Sequence, residues 1–102
     1  MPQETVKLNL TYVSVSQNDS IVLSANYARK SLVIFNRNTG LADIAFGTAA
    51  VAGQSLPLAA ASTAGGMGGG YVWGAADGVD QRAVHAICAA GVTTNLVIVE
   101  GQ

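Results

Sequence analysis

The only histidine and the only cysteine of this chain, His85 and Cys88, are its most obvious candidates for covalent or acid–base chemistry. Both fall in "AVHAICAA", an apolar run that reads as a strand. Residues three apart on a strand project from opposite faces, so this spacing does not make a thiolate–imidazole pair. A single cysteine excludes an internal disulfide and a cysteine-only metal site, and its apolar setting reads as a buried, inert thiol. A serine triad would need His85 beside a distant serine and carboxylate, and the G-x-S-x-G nucleophile turn is missing. Asp77 and Asp80, in "DGVD", offer two carboxylates around one glycine. That is far short of the oxygen shell calcium takes, and a solvated turn is the simpler expectation. Paired carboxylates for sugar hydrolysis stay open, because distance across a β-fold is not written in sequence spacing.

The glycine-rich stretch "TAGGMGGG", residues 63–70, raises the question of phosphate binding. A P-loop continues from its last glycine into Lys and Ser or Thr at the start of a helix. Here Gly70 leads into "YVWG", which is strand-like and has no lysine. A dinucleotide fingerprint needs a strand before the glycines and a helix after them, and neither pattern is present. The expectation is a mobile or closely packed connection between strands, with Met67 as an apolar tip able to dock into a partner. Tyr71 and Trp73 share one face of the strand that follows, as core residues, as interface anchors or as a sugar-stacking pair.

The elements that must carry these residues are short β-type runs recurring about every ten residues with turn residues between them. They are "TVKLNLTYVSVS", "IVLSA", "SLVIFN", "ADIAFG", "QSLPLAA", "YVWG", "AVHAICA" and "LVIVEG". The expected fold is all-β: a single antiparallel β-sandwich, jelly-roll-like, of about eight short strands. One domain spans 1–102, with an extended N-terminal strand or arm over 1–16 and the glycine-rich loop at 62–70. No helical pattern long enough for a βαβ unit interrupts the series. Pro57 places its strand at a sheet edge.

In the first run Val6, Leu8, Leu10 and Tyr12 alternate with polar residues, then the phase flips at Val13 and Val15. Such a flip predicts a bulge or a strand crossing between sheets. Twelve extended residues span roughly 40 Å, so this run must bend around its own body or reach onto another. "LVIF" and "LVIV" are apolar on both faces, although a two-layer sandwich normally exposes one polar face of each sheet. Either loops or a neighbouring subunit must cover the second face.

Composition points the same way. Half of the 102 residues are hydrophobic and only 11% are charged, with a net charge of -1. An average soluble domain carries about 25% charged residues, so little repulsion keeps copies of this chain apart. The basic residues are Lys7, Arg29, Lys30, Arg37 and Arg82, too dispersed for a nucleic-acid surface. The adjoining Arg29 and Lys30 read as a solvated turn tip. No run is long and apolar enough for a membrane span, and the opening residues lack a secretory pattern. The expectation is therefore a non-enzymatic protein without cofactor or metal, folding in a cytoplasm and having other protein chains, not nucleic acid or membrane, as partners.

The segments "SIVLSANYARKSLVIFNRNTGLADIAFG" and "AVHAICAAGVTTNLVIVEG" resemble small β-sandwich virion proteins of tailed bacteriophages, in particular capsid decoration (cement) and head-fibre-type proteins. The resemblance covers residues 20–47 and 83–101. It implies a structural protein on the outside of the virion capsid, bound to the major capsid protein and to itself, as a homotrimer. A tail, fibre-base or host-glycan-binding virion protein of low copy number is the alternative. From periodicity, Val6, Leu8, Leu10 and Tyr12 are the expected contact residues, with Met67, Tyr71 and Trp73 as secondary anchors.

Overall fold

The computed structural model describes residues 7–74 and 78–102. These form eight strands: β1 (Leu8–Val15), β2 (Ser20–Leu23), β3 (Ser31–Asn36), β4 (Ala42–Phe46), β5 (Leu56–Leu58), β6 (Gly70–Trp73), β7 (Val84–Cys88) and β8 (Thr94–Gly101). The longest central runs, "SLVIF" and "LVIV", are dominated by branched side chains that favour a pleated, packed surface. Turn residues separate the runs where the sequence places them.

All pairings are antiparallel. The pairs β1·β8, β2·β7, β3·β6 and β4·β5 are nested, as in one long folded-back ribbon. Rolling that ribbon adds β3·β8 and β4·β7, which gives two sheets of order β1-β8-β3-β6 and β2-β7-β4-β5. This is the jelly roll, a sandwich in which two Greek keys share eight strands. Leu32, Ile34, Leu96 and Ile98 from the first sheet meet Ile44, Leu58, Val84 and Ala86 from the second in a fully buried core. The Cα radius of gyration, 13.7 Å, is close to the ~13 Å of a compact chain this long.

Two buried polar clusters tie the layers together. Asn36 donates through Nδ2 to the carbonyls of Gly40 (2.7 Å) and Leu58 (3.2 Å). Its Oδ1 accepts from the Asn38 amide (3.0 Å) and the Thr94 hydroxyl (2.6 Å), which uses the full capacity of the side chain. Arg29, only 1% exposed, donates through Nε to Glu100 Oε2 (2.6 Å). Its terminal nitrogens donate to the carbonyls of Asp80, Arg82 and Ser24. The "NYARK" turn is therefore not simply a solvated basic tip. Its arginine turns inward because a carboxylate and three backbone oxygens converge there, and the planar guanidinium fork can serve all of them. Among the described residues no buried side-chain nitrogen or oxygen lacks a partner.

The first strand also departs from expectation. Strand β1 pairs with β8 residue for residue from Leu8 to Val15 with no register shift. The hydrophobic phase flip is thus neither a bulge nor a crossover. Leu8, Leu10 and Tyr12 point out of the sandwich, while Val13 and Val15 point in. The strand is regular, and what changes along it is which face carries the apolar side chain. The described part of the expected arm, from Lys7 on, is an edge strand of its own domain; Val6 lies outside the described residues.

Candidate interface

The register fixes which residues share the outer face of the β1-β8-β3-β6 sheet. Across the sheet, Leu10, Val99, Val33 and Val72 form one row. Tyr12, Val97, Phe35 and Gly70 form the next. Leu8 extends the patch at one end, and Ser14, hydrogen-bonded to Asn95, closes it at the other. The two rows contain no charged residue and, apart from the tyrosine hydroxyl, no polar side chain. Exposure is greatest at the margins: Leu10 is 73% exposed, Tyr12 63% and Val72 74%. In the centre Val97 is sheltered by its neighbours and only 7% exposed.

Met67, 78% exposed, stands beside this face and lines a shallow groove with Val33, Phe35, Gly70 and Val72. The glycine loop that carries it is packed closely. Gly68 and Gly69 donate to the carbonyls of Asn36 (2.7 Å) and Ala59 (2.9 Å), stitching the loop between the end of β3 and the segment after β5. A Cβ on Gly68 would collide with the Ala59 carbonyl, and one on Gly70 with the Ile34 carbonyl and Phe35. Glycine is used at these positions to let backbones meet, not to hold a phosphate.

Of the contact residues expected from sequence, Leu8, Leu10, Tyr12 and Met67 fall on or beside this one surface. Tyr71 and Trp73 do not. Their register with Ile34 and Leu32 turns them inward, where Trp73 meets Phe46 edge-on at 5.3 Å and stacks beside Tyr71 at 5.6 Å. The outward residue of β6 is Val72, between them. Val33, Phe35, Val97 and Val99 complete the face, and the two-sided apolar character of "LVIF" and "LVIV" was their signal in the sequence.

The chemical candidates are dispersed or occupied. His85 and Cys88 project to opposite sides of the β2-β7-β4-β5 sheet. Cys88 is buried, and desolvation, with the nearby Asp43 charge, pushes its thiol pKa up, away from a reactive thiolate. His85 Nδ1 lies 3.0 Å from Asp19 Oδ2. Burial raises the Asp19 pKa, but the His85 hydrogen bond and the Ala50 amide outweigh it, so the carboxyl is held below its ordinary value. Asp80 is paired with Arg82 at 2.6 Å, and that bond lowers its pKa. Asp77 lies outside the described residues. Among the described residues no three His, Cys, Asp or Glu side chains come together as a metal site.

No protein-family model, curated protein or solved structure matches this chain. The functional reading therefore rests on the geometry above and on the resemblance carried by residues 20–47 and 83–101.

Proposed function

We propose that this protein is a structural virion subunit that binds the outside of a tailed-phage capsid and cements the shell. The observation that carries the reading is the uncharged outer face of the β1-β8-β3-β6 sheet. An apolar patch of this extent on a small domain is a surface to be covered by another chain. A protein built around such a surface is a component of an assembly, and its low charge suits life among closely packed copies. Clamping across capsid subunit boundaries needs a rigid body with several contact surfaces, so that many weak contacts act together. A jelly roll tied internally by Arg29 and Asn36 has that rigidity.

The test is copy number per virion, measured by quantitative mass spectrometry of purified particles against the major capsid protein. Hundreds of copies in a simple ratio to the capsid protein are expected. A handful of copies would instead place the protein at the tail or a fibre base and overturn the cement reading.

A further inference from the structure

The apolar face has a pattern of large and small residues that selects its occupant. We propose that it is covered by the same face of a second copy of this chain, the two related by a two-fold axis parallel to the strands. This deepens the reading above, since it names the partner of the face on which that reading rests.

The size of the face fits a pair. Strands of eight, eight, six and four residues, about 4.8 Å apart with a rise of about 3.3 Å per residue, define a plan area of roughly 400 Å². Two such faces together bury on the order of 800 Å², the scale of a weak pair that forms as concentration rises. The absence of charge from both rows argues against a partner recognised by complementary potential, and a self-complementary patch is what a two-fold interface uses. The inward-facing Tyr71 and Trp73 leave this face without an aromatic platform for a glycan, apart from Tyr12 and Phe35 in separate strands.

The row structure then sets the axis. A half-turn about an axis parallel to the strands lays β1 over β6 of the second copy and β8 over β3, with each row kept at its own height. Tyr12 then faces Gly70 of the second copy, the one position in its row without a side chain, and the groove beside Met67 receives the ring. Leu10 faces Val72 and Phe35 faces Val97. A half-turn about the perpendicular in-plane axis instead sets Tyr12 over Leu10 and Gly70 over Val72, with bulk against bulk at one margin and a gap at the other. Interdigitation of large with small is how aligned sheets pack about 10 Å apart. Three copies around a three-fold axis cannot cover three flat faces with one another in this way, so the geometry favours a pair over the homotrimer that the resemblance implies.

The experiment uses the purified full chain without capsids. Light scattering after size exclusion, at tens of micromolar, should give twice the 10.3 kDa chain mass. Val72→Glu and Leu10→Glu should each run as one chain at the same concentration with an unchanged β-sheet circular dichroism spectrum. Should Leu10→Glu not fold, Val72→Glu still decides, because Val72 lies on the edge strand and is open to solvent. A short bis-maleimide should link a mixture of Leu10→Cys and Val72→Cys chains but neither variant alone, while Cys88 stays buried from the reagent. A wild-type monomer, a trimer, a paired Val72→Glu, or self-linking of Leu10→Cys would overturn the proposal. A monomer found at high copy on virions would leave the cement reading standing and assign the face to the capsid protein. A dimer missing from virions would do the reverse.

Discussion

On one side of the sandwich, Leu10, Val99, Val33 and Val72 form a row that ends in open side chains at both edges. On the other, the corresponding row of the β2-β7-β4-β5 sheet is Ile21, His85 and Ala45, and the next is Ile87, Asp43 and Pro57. This second face carries the hydrogen-bonded His85–Asp19 contact and the Asp43 carboxylate, and its own chain returns over it. The segment joining β4 to β5 is pinned there by the Ala50 amide on Asp19 (2.8 Å) and the Ser55 amide on Asp43 (3.3 Å). Asp43 is only 4% exposed as a result. The same fold thus finishes one sheet with a loop of its own, while among the described residues no loop crosses the apolar rows of the other. The difference lies in side-chain type at a few outward positions, since both sheets have four strands and similar pairing.

The two faces differ on one rigid body only while the sheets stay tied, so the largest effect is expected at the Arg29 cluster that ties them. Arg29→Met leaves Glu100 buried without its partner and strips donors from the carbonyls of Ser24, Asp80 and Arg82. Breaking a buried pair from one side costs about 3–5 kcal/mol, whereas replacing both partners by apolar residues costs much less. Urea unfolding should show that loss for Arg29→Met and substantial recovery in Arg29→Met/Glu100→Leu. Equal losses in the single and double variants would show that the carbonyl contacts, not the ion pair, hold the layers.

The groove beside the apolar face comes next. In Gly68→Ala the new methyl must displace the backbone at Ala59–Ala61, an overpacking cost of about 1–3 kcal/mol. Gly74 has open space around its Cβ direction and no positive φ, so Gly74→Ala should change stability by no more than about 0.5 kcal/mol. If both variants unfold at the same urea concentration as wild type, the groove is not a built feature, and its fit to Tyr12 loses support.

On the loop-covered face the expected effect is smaller and depends on pH. Asp19 has its folded pKa lowered, so its contribution to stability is present above the ordinary carboxylate value and is lost as pH falls through the lowered one. In Asp19→Asn the amide oxygen still accepts from Ala50, but the charge beside His85 is gone. The variant should be less stable than wild type near pH 6 by under about 1 kcal/mol, as for a pair still partly open to solvent. The gap should close in acid. A gap that persists well below the ordinary carboxylate pKa would mean that the folded protein does not favour the Asp19 carboxylate as described.

Much of this architecture was legible in the residues. Eight β-type runs, the edge position of Pro57 and the opposite orientation of His85 and Cys88 follow from a period of two and from what proline cannot donate. The two-sided apolar runs "LVIF" and "LVIV" marked the apolar outer face. What remained hidden depended on pairing between distant segments. Arg29 is buried only because Glu100 and three carbonyls, remote in sequence, converge on it. Tyr71 and Trp73 turn inward because of their register with β3, and nothing within "YVWG" sets that choice. The phase flip at Val13 looked like a bulge because a polar outer face was assumed; an apolar one makes the same pattern in a regular strand.

The smallest change in the folded monomer is also the sharpest test of the contrast between the faces. Leu10 and Ile21 are both exposed and lie on edge strands, one on each face. Replacing either by Glu removes little buried area, so neither monomer should lose more than about 0.5 kcal/mol. Association should separate them. If the apolar face is completed by another copy, the apparent stability of wild type rises with protein concentration, because only the folded chain pairs. Ile21→Glu should keep that dependence, while Leu10→Glu should melt at the same temperature at 1 and at 100 µM (on the order of a hundredfold range). Loss of the dependence in both variants would mean that the loop-covered face also meets a neighbour. Its retention in both would move the contact away from the β1 edge altogether.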